Sequence, residues 1–156
     1  AVRCWGRNEF GQIGDGSLDA RRTPTLVRHL GAAAEAALAA AHLEIEPGAG
    51  GLRVRLTQDP PENFCRPSVD PMLRSVVRCV GGRALAVILT GMGADGLAGC
   101  RALIEAGGSL VAQDQASSVV WGMPGAVATA GLCCAVEPLD RLAATVVALA
   151  SGAGAR

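Results

Sequence analysis

Residues 85–90, Leu-Ala-Val-Ile-Leu-Thr, are the sequence feature that most constrains the fold. Their apolar side chains follow one another without the alternation of a half-buried strand, which is typical of a strand covered by helices on both faces. Such strands occur in parallel sheets, where a crossover helix follows each strand. The chain continues accordingly, with a helical pattern over 97–106 that two glycines at 107–108 end.

The same alternation extends over the rest of 43–150. A hairpin with one dry face is predicted from the alternating segments 43–46 and 52–56, which a Gly-rich turn joins. Ser68 is expected to cap a helix that runs to Val80, because apolar residues recur there at helical spacing. The sequence therefore predicts an α/β fold with a β-hairpin and an open, mainly parallel, doubly wound sheet, a truncated three-layer α/β/α arrangement. The remaining predicted elements are strands at 109–112 and 133–136 and helices at 126–130 and 139–150.

The composition excludes several classes of chemistry. All 14 positively charged side chains are Arg and the chain has no Tyr, so mechanisms that need a lysine or a tyrosine are excluded. Because 14 acidic residues balance the charge, we expect no nucleic-acid partner. The chain has only two His, and no two of its six Cys are separated by two residues as in a Cys-x-x-Cys motif. We therefore expect neither a metal site nor another cofactor. The cysteines are predicted to be small buried apolar side chains in a reducing compartment.

The location of the chain is predicted from the lack of two signals. No apolar run approaches the roughly 20 residues of a membrane span. The first residues also lack the apolar stretch of a signal peptide. We therefore expect a cytoplasmic protein.

The loop at 90–96, Thr-Gly-Met-Gly-Ala-Asp-Gly, follows the buried strand, at the sheet edge where ligands and catalytic groups collect. It matches the Gly-x-Gly-x-x-Gly pattern, and Asp114 stands where a dinucleotide-binding fold places its ribose-binding acid. However, Asp95 would place a carboxylate at the helix N-terminus that a pyrophosphate has to occupy. A dinucleotide-binding module is therefore the least favoured function.

Asp95 allows two other interpretations. An Asp at a helix N-terminus is favoured as the anion, so it can accept a hydrogen bond from an imidazole, as the orienting acid of a Ser-His-Asp triad does. Alternatively, its carboxylate only caps the helix. The residues by themselves leave both interpretations open.

The N-terminal segment differs in composition from the rest of the chain. Residues 4–16, Cys-Trp-Gly-Arg-Asn-Glu-Phe-Gly-Gln-Ile-Gly-Asp-Gly, carry a string that resembles one repeat of the regulator-of-chromosome-condensation type, over about 2–28. The resemblance implies a short β-propeller-like repeat, although one blade cannot bury its own faces. A disordered Gly-rich leader is the alternative. We expect a propeller-type repeat fragment at 1–29, an Ala-rich linker or helix at 30–41, the α/β portion at 42–152 and a tail at 153–156.

Residues 42–149 resemble the C-terminal part of the catalytic domain of chemotaxis protein-glutamate methylesterases of the CheB type. The shared strings are RPSVD at 66–70, VILTGMGADG at 87–96 and AQDQASSVVWGMP at 112–124. The resemblance implies a hydrolase that removes methyl esters from glutamates of methyl-accepting chemoreceptors, and also deamidates glutamines, by a serine-esterase mechanism. It implies Asp95 as the triad acid, with Met92, Gly91 and Gly93 lining the site.

The resemblance also implies residues that this sequence lacks. The family nucleophile lies in a Ser-Thr-Gly-Gly turn and the general base in a Gln-His-Met stretch, and neither string occurs here. His42 matches a different family histidine, His29 precedes the matched region, and no Ser lies in a Gly-x-Ser-x-Gly elbow. We therefore expect this chain to be inactive alone, either as part of an esterase or as a non-catalytic remnant or binding module of the same fold.

Three further expectations concern surfaces. An exposed sheet edge predicts self-association. Residues 117–118 and 121–124 are expected to line the floor of the site or to pack against the sheet edge. Arg66 and Arg74 are expected either to recognise acidic receptor segments or to form surface ion pairs.

Overall fold

The computed structural model describes residues 3–6, 21–26 and 41–152 of the 156-residue chain. It contains two compact units, residues 1–40 and 41–156. In chain order, the strands are β1 (Arg3–Gly6), β2 (Arg21–Leu26), β3 (His42–Gly48), β4 (Gly51–Thr57), β5 (Leu85–Ile88), β6 (Ser109–Gln113) and β7 (Ala135–Glu137). The helices are α1 (Val69–Val80), α2 (Leu97–Glu105), α3 (Met123–Thr129) and α4 (Leu139–Ala150).

The first unit contributes one antiparallel pair, in which β1 lies beside β2. A propeller blade typically has four strands, so this pair does not support the predicted propeller-like repeat. Most of the Gly-rich string at 7–16, the predicted linker helix up to residue 40 and the tail at 153–156 lie outside the described residues.

In the second unit, the predicted hairpin is confirmed: β3 and β4 pair antiparallel, with Glu44 opposite Arg55. Helix α1 attaches to β3 through the hydroxyl of Ser75, which accepts a hydrogen bond from the Ile45 backbone N–H at 2.8 Å. The Glu44 carboxylate also binds Arg55 and Arg78 of α1, each at 2.9 Å. The prediction of a dry face is wrong for β4, because its apolar side chains are exposed. These side chains are Leu52, Val54 and Leu56.

The main sheet has three parallel strands in the order β5-β6-β7. Its central strand, β6, is buried along its length, with Leu110, Val111 and Ala112 each 0% exposed. On one face, Leu110 and Ala112 join a core with side chains of α1, α2 and α3. Val111 points to the opposite face by strand alternation, and α4 contacts this strand. The α/β class and the parallel sheet predicted from the sequence are thus confirmed.

Strand β5 differs from its prediction. It ends at Ile88 rather than at Thr90, and it is an edge strand with β6 as its single neighbour in the described sheet. Val87 and Leu89 are therefore 37% and 46% exposed, although the continuous apolar run predicts burial on both faces. The surface along β5 is therefore apolar and exposed to solvent.

Smaller differences concern element ends and cysteines. Helix α3 begins at Met123 instead of 126, because Pro124 in its first turn is compatible with a helix start. Strand β7 begins at Ala135, two residues later than predicted. Cys100 is buried as predicted, whereas Cys65 and Cys134 are exposed and all cysteines in the described range 41–152 are free thiols. Within the described residues, no helix is long and apolar enough to span a membrane.

Candidate functional site

Asp95 lies in the loop of residues 89–96 that connects the carboxyl end of β5 to α2, which we term the Asp95 loop. Its Oδ1 accepts hydrogen bonds from the Ser68 hydroxyl at 2.6 Å and from the Asn63 side-chain amide at 3.0 Å. Its Oδ2 accepts one from the Val69 backbone N–H at 2.8 Å. A longer contact of 3.4 Å joins the Asp70 N–H to Oδ1. The carboxylate is thereby held from several sides.

These contacts bear on the alternative interpretation that Asp95 only caps its own helix. The carboxylate caps α1, which begins 26 residues earlier in the chain, and not the adjacent helix α2. Ser68 occupies the N-cap position of α1, as predicted, but its hydroxyl does not bond to the helix backbone and instead donates to Asp95. The first N–H groups of a helix form its partially positive end, which stabilises an anion. Asp95 therefore completes the N-terminus of α1 from a distant loop.

The surroundings of Asp95 favour its charged form. Partial burial by itself raises the pKa of Asp95, but the hydrogen bonds from Ser68, Val69, Asn63 and Asp70 lower it by more. The net pKa of Asp95 is below the ordinary value of an aspartate because hydrogen bonds to the charged form outweigh desolvation. The site thus contains a fixed carboxylate anion at the end of a parallel strand.

Asn63 reaches this carboxylate from a tight turn. The turn is closed by reciprocal backbone hydrogen bonds between Glu62 and Cys65 at 3.1 and 2.8 Å. Its two central residues, Asn63 and Phe64, have φ values of +52° and +62°, a left-handed conformation that Asn tolerates better than Phe does. The Asn63 amide also donates to Asp70 Oδ2 at 2.8 Å, so that one amide group bridges two carboxylates.

His42, Ser68 and Asp95 lie within a chain of hydrogen bonds that looks superficially like a catalytic triad. However, the Ser68 hydroxyl donates to Asp95, while His42 Nδ1 accepts from the Ser68 backbone N–H at 3.1 Å. His42 Nε2 faces the Pro60 carbonyl oxygen at 3.0 Å. In a triad the imidazole lies between the hydroxyl and the carboxylate. Both His42 and Ser68 are also buried, so these three residues do not form a nucleophilic centre.

A second loop, residues 114–122, which we term the Trp121 loop, lies directly against the Asp95 loop. The Gly91 N–H donates to the Val120 carbonyl at 3.1 Å, and the Gly91 carbonyl accepts from Gly122 and Met123. A Cβ atom on Gly122 would lie within 2.6–2.9 Å of backbone atoms of Gly91 and Gly93, so this close approach requires glycine. Residues 121–124 therefore pack against the predicted site loop.

A buried side chain, Gln113 at the end of β6, also joins the two loops. Its Oε1 accepts from the Thr90 N–H at 2.9 Å, and its Nε2 donates to the Ser117 carbonyl at 2.7 Å. Sequence patterns did not single out Gln113, although its position at the carboxyl end of a buried strand was a usable signal.

The other predicted site residues have distinct environments. Met92 extends into solvent with 85% of its surface exposed. Gly91 forms the contacts described above, and Gly93 has a left-handed φ of +80°. Asp114 accepts from the Ser117 N–H and hydroxyl at 2.9 and 2.6 Å, so it closes its own turn. Ser117 and Ser118 both bond to that residue, within the turn.

The two arginines have local partners. Arg74 forms an ion pair with Glu62, and Arg66 donates to the Asp59 carbonyl at 3.2 Å. The pKa of Arg74 is raised, chiefly by its hydrogen bond to Glu62. In residues 41–152 and the two short strands, no group of three or more His, Cys, Asp or Glu side chains could hold a metal ion.

An open apolar groove of about 510 Å³ runs along the exposed edge strand β5 and reaches Thr90 of the Asp95 loop. We term it the β5 groove. Its lining residues come from α1, β5, α2 and α3. Lining side chains include Val76, Leu85, Val87, Leu89 and Met123.

Sequence reasoning missed Asn63 and the role of the Ser68 hydroxyl. The sequence predicts Ser68 only as a helix cap, and no pattern in it singles out Asn63. The two residues lie 32 and 27 positions from Asp95. No local pattern connects positions so far apart, and only the packing of α1 beside α2 brings them together.

The chain is similar to known proteins. The family model described as CheB methylesterase matches residues 25–146, and the regulator of chromosome condensation repeat matches residues 2–42. Two relatives named protein-glutamate methylesterase/protein-glutamine glutaminase, from Azospirillum brasilense and a Nocardioides species, are 59% and 63% identical over 113 and 101 residues. These matches cover 72% and 65% of this chain but only 29% and 28% of the relatives.

A solved structure shows the same fold. The crystal structure of the Thermotoga maritima CheB methylesterase catalytic domain is similar with a TM-score of 0.68 and 32% identity, over 70% of this chain and 58% of that domain. The chain thus spans less than a third of the relatives' length and somewhat more than half of the catalytic domain. On the match of the family model to most of its residues, this chain belongs to the CheB methylesterase family.

Proposed function

We propose that this chain supplies the orienting acid, Asp95, of a protein-glutamate methylesterase and glutamine deamidase that acts on chemoreceptors by a Ser-His-Asp mechanism. The observation that carries the proposal is the carboxylate anion held at the carboxyl end of β5 by the N-terminus of α1. High-identity relatives with that activity in their names support it. Met92, Gly91 and Gly93 would line the same site.

In this mechanism, a serine hydroxyl attacks the ester carbonyl while an imidazole removes its proton. The same imidazole then protonates the departing methanol, and water hydrolyses the acyl-enzyme in the reverse sequence. Asp95 would accept a hydrogen bond from the imidazole, which selects its tautomer and stabilises the imidazolium. The lowered pKa of Asp95 suits this role, because an orienting acid has to stay ionised.

We infer that the serine and the imidazole come from a segment outside residues 41–152. The described residues hold one histidine, His42, and it is buried against Ser68 and Pro60. We propose that a segment carrying the nucleophile and the base packs along the β5 groove and adds a strand to β5. The apolar, exposed edge strand supports this placement, since a parallel sheet ordinarily has both faces and its inner strands covered.

The test is reconstitution. The chain would be mixed with the part of the Azospirillum brasilense relative's catalytic region that precedes its matched residues, and methanol release from a glutamyl-methyl-ester peptide would be measured. We expect hydrolysis with both components and none with this chain alone. Asp95→Asn should abolish it, whereas the exposed control Asp140→Asn should not. Hydrolysis that persists with Asp95→Asn would contradict the proposal.

A non-catalytic role is the second candidate, and the exposed strand β5 favours it. In the absence of the missing segment, two copies could associate through this edge, because unpaired edge strands are templates for pairing. Sedimentation of the purified chain over a concentration series distinguishes the two states. We expect self-association that the added segment suppresses.

Two further proposals concern location and organisation. We expect a cytoplasmic protein, with a repeat fragment at 1–29, an Ala-rich linker or helix at 30–41 and the esterase portion at 42–152. The family-model match over residues 2–42 supports a relation of the N-terminal segment to chromosome-condensation-type repeats. A dinucleotide-binding function is disfavoured, because the Asp114 carboxylate already closes its own turn.

A further inference from the structure

We propose that Ser68 and Asn63 are positioning residues for Asp95, and that they direct its Oδ2 atom toward the imidazole of the triad. The proposal rests on the proposed function of Asp95. It assigns a catalytic consequence to two side chains that otherwise look like a helix cap and a turn residue.

The two oxygens of Asp95 are used unequally. Oδ1 accepts from the Ser68 hydroxyl at 2.6 Å, the Asn63 amide at 3.0 Å and, more weakly, the Asp70 N–H at 3.4 Å. Within the described part of the chain, Oδ2 accepts only the Val69 N–H, at 2.8 Å. Since each carboxylate oxygen offers about two lone-pair directions, Oδ1 is saturated and Oδ2 keeps one direction open. An incoming imidazole N–H is therefore received by Oδ2.

Ser68 is well suited to fix this orientation because it cannot easily move. It is 4% exposed, and its backbone N–H is held by His42 Nδ1 at 3.1 Å. An N-cap serine ordinarily bonds to its own helix, but this hydroxyl donates to Asp95 instead. A hydrogen bond from a hydroxyl to a carboxylate is charge-assisted and directional. It therefore restricts rotation of the Asp95 carboxylate.

Asn63 contributes a second restraint and separates two negative charges. Its amide donates to both Asp95 and Asp70, while the other oxygen of Asp70 accepts from the Gly99 N–H at 2.6 Å. Without this amide, the carboxylates of Asp70 and Asp95 would each lose a hydrogen-bond donor that offsets their mutual repulsion. Asn63 and Phe64 both have a left-handed backbone, and the Asn63 side chain reaches the two carboxylates from this turn.

The other ionisable groups near Asp95 are accounted for. Asp70 shares the Asn63 amide, His42 Nδ1 accepts a hydrogen bond from the Ser68 backbone N–H, and Arg74 forms an ion pair with Glu62. None of these contacts uses the Ser68 hydroxyl, so we expect them to persist in Ser68→Ala. A change in the behaviour of Asp95 can therefore be attributed to the lost hydroxyl.

The experiment follows the Asp95 carboxyl by ¹³C NMR during an acid titration of the full chain. Ser68→Ala and Asn63→Ala should each move its titration midpoint upward, while Ser68→Thr, which keeps a hydroxyl, should restore it. Ser75→Ala is the matched control, because Ser75 is a buried serine of the same helix that bonds to Met72 and Ile45. It should cost comparable stability without moving the midpoint.

A second readout uses the reconstituted esterase. Ser68→Ala should lower kcat about 10-fold or more with little change in KM, because a misoriented acid affects the chemical step more than binding. An unchanged midpoint in Ser68→Ala, or an equal change in Ser75→Ala, would overturn the positioning role. If the midpoint moves but no reconstituted variant hydrolyses ester, the proposed function fails and the restraint on Asp95 stands.

Discussion

Removal of the Asp95 carboxylate tests whether this loop residue stabilises the distant helix α1. In Asp95→Ala, the Val69 N–H loses its cap, which typically costs about 0.5–2 kcal/mol. The buried Ser68 hydroxyl also loses its acceptor, and leaving such a group unpaired costs about 1–3 kcal/mol. We therefore expect the free energy of unfolding to fall by about 3 kcal/mol. That is a large share of the roughly 5–15 kcal/mol of a typical domain.

Asp95→Asn separates charge from shape. The amide keeps one acceptor oxygen but loses the favourable interaction of the anion with the N-terminus of α1, which is worth up to about 2 kcal/mol in partly buried sites. In the wild type, the pKa of Asp95 is lower in the folded state than in the unfolded state, where it is near 3.9. The charge of Asp95 therefore stabilises the fold fully at pH values above about 3.9, and this stabilisation is lost as the pH falls further. The difference between wild type and Asp95→Asn should be largest at neutral pH and shrink below about pH 4.

The assay is urea unfolding followed by circular dichroism at several pH values between neutral and acid. Asp140→Ala, which removes an exposed carboxylate from the first turn of α4, should change stability by no more than about 0.5 kcal/mol. If Asp95→Ala is as stable as wild type, or if the Asp95→Asn difference does not depend on pH, the capping of α1 by Asp95 is refuted.

Three other predictions concern packing, strain and thiol reactivity. Gly99→Ala should lower stability by about 2 kcal/mol in a thermal melt, because its Cβ would lie 2.6 Å from a side-chain atom of α1; an unchanged melt would contradict this contact. Phe64→Gly should leave stability equal or up to about 1 kcal/mol higher, since it relieves a left-handed φ at a fully exposed side chain; a clear loss in urea unfolding would show that Phe64 makes contacts. Peptide mapping after thiol labelling should find Cys65 and Cys134 modified in the native chain. Cys100, whose pKa burial raises to about 12, should react only on unfolding, and native labelling there would argue against its burial.

Several elements were predictable because their signals are local. The alternating residues of 43–46 and 52–56 predicted the hairpin, and the apolar spacing behind Ser68 predicted α1 over almost the same residues. In both cases, neighbours within a few positions determine the backbone conformation. The place of Asp95 at a strand end followed from the same kind of pattern.

Other features were not predictable because they depend on what an element packs against. The run at 85–90 has the composition of a strand buried on both faces, yet β5 lies at an edge and exposes Val87. The alternation of β4 was interpreted as a dry face, but its Val54 is exposed. An apolar strand pattern shows that the strand would be stable if other elements packed against it. It does not show whether such elements are present.

The sequence by itself determined the order of strands and helices, the lack of lysine and tyrosine side chains, and the carboxylate at the end of β5. Periodicity and residue type are sufficient for these, because each depends on a single segment. Only the tertiary structure decided that Asp95 caps α1 rather than its own helix, with Ser68 and Asn63 on one oxygen. Partners about 30 residues apart meet only when α1 and α2 pack together, so the environment that sets the charge of Asp95 is a property of the fold.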